Sequence, residues 1–289
     1  MFGRRSSPYA VPWIAGAFVL IVLGAVVVAA GVNQSSSDSK LKVNWSSPSV
    51  SVLVGAGGNL TLPITLTSQG NLTGINIEAV PALAPFLTIQ PASFSSVSSG
   101  QTRQLSLVFS VATNSPLGIY NGTVHVRMGN RTIPQPLEVT LTITTNPLSI
   151  LIPPTFQLNG QISALGGPVN LNNFDNNYMH GGFVPAGGAD IDITSVPMPQ
   201  IALGDFITNE LQGAVITSSS SVAVAGRQAD EVFYTDNFGP ALSYRNVAVY
   251  VPLGERLHKI YLTYQAGDTQ ESQFLSAFQQ LISTIQFTP

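Results

Sequence analysis

The chain has 289 residues, enough for two ordinary domains with separate cores. Charged side chains make up only 9% of it, and 11 basic against 14 acidic residues leave a net charge of −3. That excludes the clustered basic surface a nucleic-acid binder needs. The absence of cysteine excludes disulfides, thiol nucleophiles and thiolate metal sites.

After Arg4 and Arg5 no charge occurs until Asp38, and residues 11–32 contain no ionisable group. About 20 such residues at about 1.5 Å rise span a hydrocarbon core of about 30 Å. A single-pass signal-anchor helix over 11–32 is therefore expected, with the lipid bilayer as its partner. Tyr9 and Trp13 would lie at its headgroup end. The two arginines would keep residues 1–10 cytoplasmic and place everything beyond outside the cytoplasm. A cleaved signal peptide, cut before Gly31, competes with this reading, but its apolar core usually runs about 7–15 residues. Residues 33–44 are polar and serine-rich, as a flexible tether is.

Residues 45–146 alternate apolar and polar with period two, interrupted by turn residues every 8–12 positions. Leu60, Leu62, Ile64 and Leu66 form one such series, Leu105, Leu107, Phe109 and Val111 another. About seven short strands without helical periodicity predict a β-sandwich. The run Ser115-Pro116-Leu117-Gly118-Ile119-Tyr120, followed by alternating Val124 and Val126, resembles the late-strand signature of bacterial and archaeal immunoglobulin-like surface modules. The resemblance implies the immunoglobulin-like fold, no site, and a packing or corner role for Tyr120.

Six of the nine asparagines before residue 150 begin an Asn-x-Ser/Thr triplet: Asn33, Asn44, Asn59, Asn71, Asn121 and Asn130. None of the nine after it does. Such triplets are glycan acceptors in exported chains; strand alternation, which places Thr two residues from a turn asparagine, is the other source of the pattern.

Residues 147–154, with Pro153-Pro154, read as a linker. Residues 155–289 then mix sheet and helix. Leu203, Phe206, Ile207 and Leu211 draw an apolar stripe along one helix. Phe274, Phe278, Leu281, Ile282 and Ile285 draw another, with Asp268 and Glu271 as a capping box. Strands over 189–194, 222–224, 232–234, 241–251 and 257–264 complete an expected α+β layer in which helices cover an antiparallel sheet. Ala229 to Tyr234, Val247 to Pro252, Ile260 to Tyr264 and the ending Leu281-Ile282-Ser283-Thr284-Ile285-Gln286-Phe287 make this region similar to PsbP and Mog1-like domains. Members of that family act as assembly factors, adaptors or small-ligand binders without a common catalytic triad, so the resemblance implies binding and transfers no residue.

Candidate chemistry is sparse. Asp190 and Asp192 share one face of a strand, a spacing that could hold Ca²⁺ if loop oxygens such as those of Asp175 converge; two solvated carboxylates would look the same. His125, His180 and His258 lack partners at zinc-site spacing. No nucleophile-elbow, phosphate-loop or dinucleotide motif occurs, and no cofactor is implied. Tyr244, Tyr250, Tyr261 and Tyr264 concentrate in a short stretch and are the binding candidates, since tyrosine joins an apolar ring to a polar hydroxyl. The expectation is a non-catalytic module that recognises a small ligand or a cell-surface or envelope protein. An extracytoplasmic hydrolase with its site in residues 170–205 is the alternative.

Overall fold

A computed structural model describes residues 41–159, 168–174, 183–239 and 242–288. Eleven strands come first: β1 (Val43–Trp45), β2 (Ser49–Gly55), β3 (Asn59–Ser68), β4 (Leu72–Ala79), β5 (Leu87–Gln90), β6 (Ser93–Val97), β7 (Thr102–Ser110), β8 (Gly118–Met128), β9 (Arg131–Thr132), β10 (Leu137–Thr144) and β11 (Leu148–Ile152). They form a four-stranded sheet in the order β1-β3-β7-β5 and, with one later strand, an eight-stranded sheet. Alternation dictates the arrangement: Leu60, Leu62, Ile64 and Leu66 of β3 turn inward to meet Val124, Val126, Leu141 and Ile143 from the other sheet in one core. Tyr120 packs its ring 4.8 Å from that of Phe86 and donates its hydroxyl to the Pro116 carbonyl.

The second region contributes β12 (Gln157–Leu158), β13 (Val169–Asn172), β14 (Ala189–Pro197), helix α1 (Leu203–Glu210), β15 (Val215–Val224), β16 (Arg227–Asn237), β17 (Ser243–Leu253), β18 (Arg256–Gln265), helix α2 (Glu271–Thr284) and β19 (Gln286–Phe287). Seven of these strands form an antiparallel sheet in the order β12-β13-β14-β18-β17-β16-β15. Odd-numbered residues of β14 and β17 (Ile191, Ile193, Val247, Val249) and even-numbered ones of β18 (Ile260, Leu262, Tyr264) bury one face under Phe274, Phe278 and Leu281 of α2. The opposite face is the polar one, partly covered by Ile207 of α1 and by Leu211.

Residues 147–154, read as a linker, carry β11, which pairs antiparallel with β2 and, at its start, with β19. Leu53, Leu148, Ile150 and Ile152 thereby join the core beneath α2. At this junction the Gly55 backbone lies so close that a Cβ would collide with the Asn146 carbonyl oxygen.

The expected fold class requires correction. Strands account for 57% of the described residues and helices for two short segments, so the fold is mostly β. In the second region four strands of 10 or 11 residues, β15 to β18, outweigh two helices of 8 and 14 residues. The helix expected over 11–32 lies outside the described residues, and no described helix is long and apolar enough to cross a membrane. The fold of the described residues therefore includes no membrane helix, and it does not support the single-pass and signal-anchor assignments. The capping box also fails to form. The α2 N-cap is Gln270, without a side-chain cap bond. Asp268 accepts from the Gln270 and Gly187 amides, while Glu271 accepts from Arg245 and Tyr264.

Candidate functional site

Antiparallel pairing places partnered residues on one face, and register carries polar groups across the second sheet. One row runs Asn172, Asp190, Thr263, Asn246, Tyr234; the next runs Asn170, Asp192, Tyr261, Ala248, Val232. Thr194, Lys259, Tyr250 and Asp230 form a third. Buried hydrogen-bonding groups need partners, and on this face Asn170 Oδ1 and Thr194 Oγ1 have none among the described residues.

Two networks supply partners. On the β13 side the Asn170 amide nitrogen donates to Asp190 Oδ1 and to Asp192 Oδ1, both at 2.8 Å. Burial, and then the neighbouring Asp192 charge, push the Asp190 carboxyl up to about 8, with Asn170 opposing the rise. On the β17 side the Thr263 hydroxyl donates to Asn246 Oδ1 at 2.7 Å, and Asn246 Nδ2 donates to Asp236 Oδ2 at 3.0 Å. Burial raises the Asp236 carboxyl above the usual range.

Between these networks the end of α1 brings Glu210 over the sheet. Glu210 Oε1 accepts from Lys259 Nζ at 2.5 Å and from the Tyr261 hydroxyl at 2.9 Å. The ammonium also lies 5.9 Å from the Phe206 ring centre and 5.6 Å from that of Tyr261. Burial dominates the upward shift of the Tyr234, Tyr250 and Tyr261 hydroxyls, so all three stay protonated donors. These groups open onto a cleft of about 490 Å³ whose walls include Asp192, Glu210, Tyr234, Asp236, Lys259 and Tyr261.

The four tyrosine candidates separate. Tyr261 lines the cleft. Tyr250 is fully buried beneath it, its ring 6.2 Å from that of Tyr261. Tyr244 donates to the Val184 carbonyl and packs on Phe238. Tyr264 faces the other way, against Phe274, and donates to Glu271. Period two already places Tyr261 and Tyr264 on opposite faces. Glu210 and Lys259 were not singled out from sequence, because only the strand register and the seat of α1 bring them together.

The proposed metal pair is brought together by β14, but the group facing both carboxylates is the N–H donor of Asn170 rather than an oxygen ligand. Among the described residues no group of three or more His, Cys, Asp and Glu side chains is placed to hold a metal ion. His180, Asp175 and Asn33 lie outside the described residues. His258 is buried against Phe287, with its imidazole pushed down to about 4 by burial and by Arg256; His125 bonds Thr123.

No protein-family model and no curated protein matches the chain. Among solved structures it is similar to a family 123 glycoside hydrolase from Clostridium perfringens (9% identity, 36% of this chain and 27% of that one, TM-score 0.29). It is likewise similar to a protein from Bacteroides thetaiotaomicron (14%, 50% and 46%, TM-score 0.32) and one of unknown function from Porphyromonas gingivalis (10%, 80% and 86%, TM-score 0.29). The chain spans less than half the length of the first two. At TM-scores this low the likenesses carry no argument about fold or activity.

Proposed function

We propose that the protein is a non-catalytic binding protein whose second sheet recognises a small, hydroxyl-rich ligand in the cleft beneath α1, with the sandwich as its supporting spacer. The observation that carries this reading is the wall composition around about 490 Å³: carboxylate acceptors (Asp192, Asp236), one ammonium (Lys259), the Tyr234 phenol as donor and the Tyr261 phenol oxygen, whose proton goes to Glu210, as acceptor. Vicinal hydroxyls both donate and accept, so they match alternating acceptors and donors, while the ring of Tyr261 offers an apolar face to C–H groups. Calorimetric titration of the full chain with a panel of neutral mono- and oligosaccharides tests it. Saturable binding should weaken about five-fold in Tyr261→Phe, the loss of roughly 1 kcal/mol expected for one hydrogen bond. Absence of binding across the panel, or equal affinity in Tyr261→Phe and Asp192→Asn, would count against it.

A hydrolase remains the second reading, favoured by one observation: the Asp190 carboxyl, pushed up to about 8 beside Asp192, is suited to hold a proton as an acid. Asp190 lies beneath the cleft rather than among its walls, and both carboxylates are already engaged by Asn170. Turnover of any glycoside or ester that disappears in Asp190→Asn or Asp192→Asn, or in His180→Ala, would favour this reading over the first.

A further inference from the structure

Asparagine does different work in the two halves of the chain. In the second sheet Asn170, Asn172 and Asn246 are buried, at 6%, 1% and 4% exposure, and Asn170 and Asn246 bond carboxylates there. In the sandwich every described triplet asparagine (Asn44, Asn59, Asn71, Asn121 and Asn130) is exposed to solvent. The hydroxyl residue of each triplet (Ser46, Thr61, Thr73, Thr123, Thr132) is exposed or half-buried. Where the triplet runs along a strand, as at Asn59 and Asn121, period two turns both side chains to the same side. Two asparagines are held by their oxygen: Asn71 Oδ1 accepts from the Ser99 amide and Asn121 Oδ1 from the Thr140 hydroxyl, both at 2.9 Å. Each bond fixes the carboxamide while leaving Nδ2, the atom a glycan would take, without a bond to any described residue.

The five positions are distributed over both sheets. Asn44 lies on edge strand β1, Asn59 opens β3, and Asn71 sits between β3 and β4. Asn121 is on β8 and Asn130 in the turn to β9. The walls of the polar cleft carry no triplet at all.

We propose that the sandwich is N-glycosylated at Asn44, Asn59, Asn71, Asn121 and Asn130, so that glycans sheath the spacer and leave the cleft bare. The donor is a glycan activated by a lipid-linked phosphate. Asparagine Nδ2 attacks the anomeric carbon, a C–N bond forms, the bond from that carbon to the phosphate oxygen breaks, and the Nδ2 proton leaves with the phosphate carrier. No redox step is involved. A glycan on β1 would also block sheet extension at that edge.

The test is the intact mass of the protein purified from its native cells, with glycopeptide mapping. The expected result is additions of a common glycan mass, mapped to these asparagines. Thr73→Ala should remove one such addition while Thr73→Ser keeps it, and Asn71→Gln should behave like Thr73→Ala. The Ala and Ser pair separates acceptor chemistry from any effect on folding. A mass equal to the unmodified polypeptide, or sugars found only on serine and threonine, overturns the proposal. Neither result bears on ligand binding in the cleft, which is measured separately.

Discussion

At the residue scale two buried ionisable groups on opposite faces of the second sheet, Asp190 and His258, make stability respond to pH in opposite senses. Asp190 has its folded-state affinity for protons raised, from the usual 3.8 to about 8. Between those values the folded state holds a proton that the unfolded chain has released, so its contribution to stability falls as pH rises through that window. His258 does the reverse. Its folded value drops from 6.5 to about 4, so its contribution is present above 6.5 and is lost as pH falls toward 4. Asp190→Asn, which keeps an acceptor for Asn170, should gain stability over wild type toward pH 8, on the order of 2 kcal/mol. Thermal melts from pH 4 to 9 check this, and a variant whose melting temperature tracks wild type in parallel contradicts the assignment. His258→Gln should lose the acid-side slope between pH 4 and 6.5, relative to wild type, in the same series.

The tyrosines give a second residue-scale test. Tyr264→Phe removes a hydrogen bond to Glu271 on the helix side and should cost about 1 kcal/mol of stability without changing ligand affinity. Tyr261→Phe should lower affinity instead. Chemical denaturation and calorimetry on both variants distinguish the two faces, and the same outcome for both would contradict the register.

At the element scale, α2 is where the second sheet gains most of its apolar burial. Phe274, Phe278 and Leu281 are at or near zero exposure, each fully buried side chain contributing about 1.5–3 kcal/mol. Phe278→Ala should destabilise by about 3–5 kcal/mol. Equilibrium denaturation checks it; a loss under about 1 kcal/mol would mean the helix does not seat as described. This helix was legible in the sequence because its stripe recurs over three turns. So were the sandwich strands, since Leu60 to Leu66 and Leu105 to Val111 keep period two without a break. The capping box was misread because Asp268 and Glu271 have better partners at a distance: the Gly187 amide, Arg245 and Tyr264. Local spacing contains no trace of such contacts. Glu210 and Lys259 escaped notice for the same reason, being 49 residues apart along the chain.

At the scale of the whole molecule, β11 changes what a proline-bounded linker was expected to be. By pairing with β2 and placing Ile150 under α2 it joins the two regions through one core. Unfolding should therefore be a single cooperative transition by calorimetry and by near-UV circular dichroism. Gly55→Ala, which drives a methyl group into the Asn146 carbonyl, should lower its midpoint. Two separate transitions in wild type would mean the junction contributes little.

The cleft beneath α1 is best interrogated by a nuclear magnetic resonance titration of the isotopically labelled full chain with a neutral oligosaccharide. Saturable shifts centred on Asp192, Glu210, Tyr234, Lys259 and Tyr261, with the sugar recovered intact after prolonged incubation, are the predicted result. Shifts confined to the sandwich, or cleavage of the sugar at a rate abolished by Asp190→Asn, would contradict it.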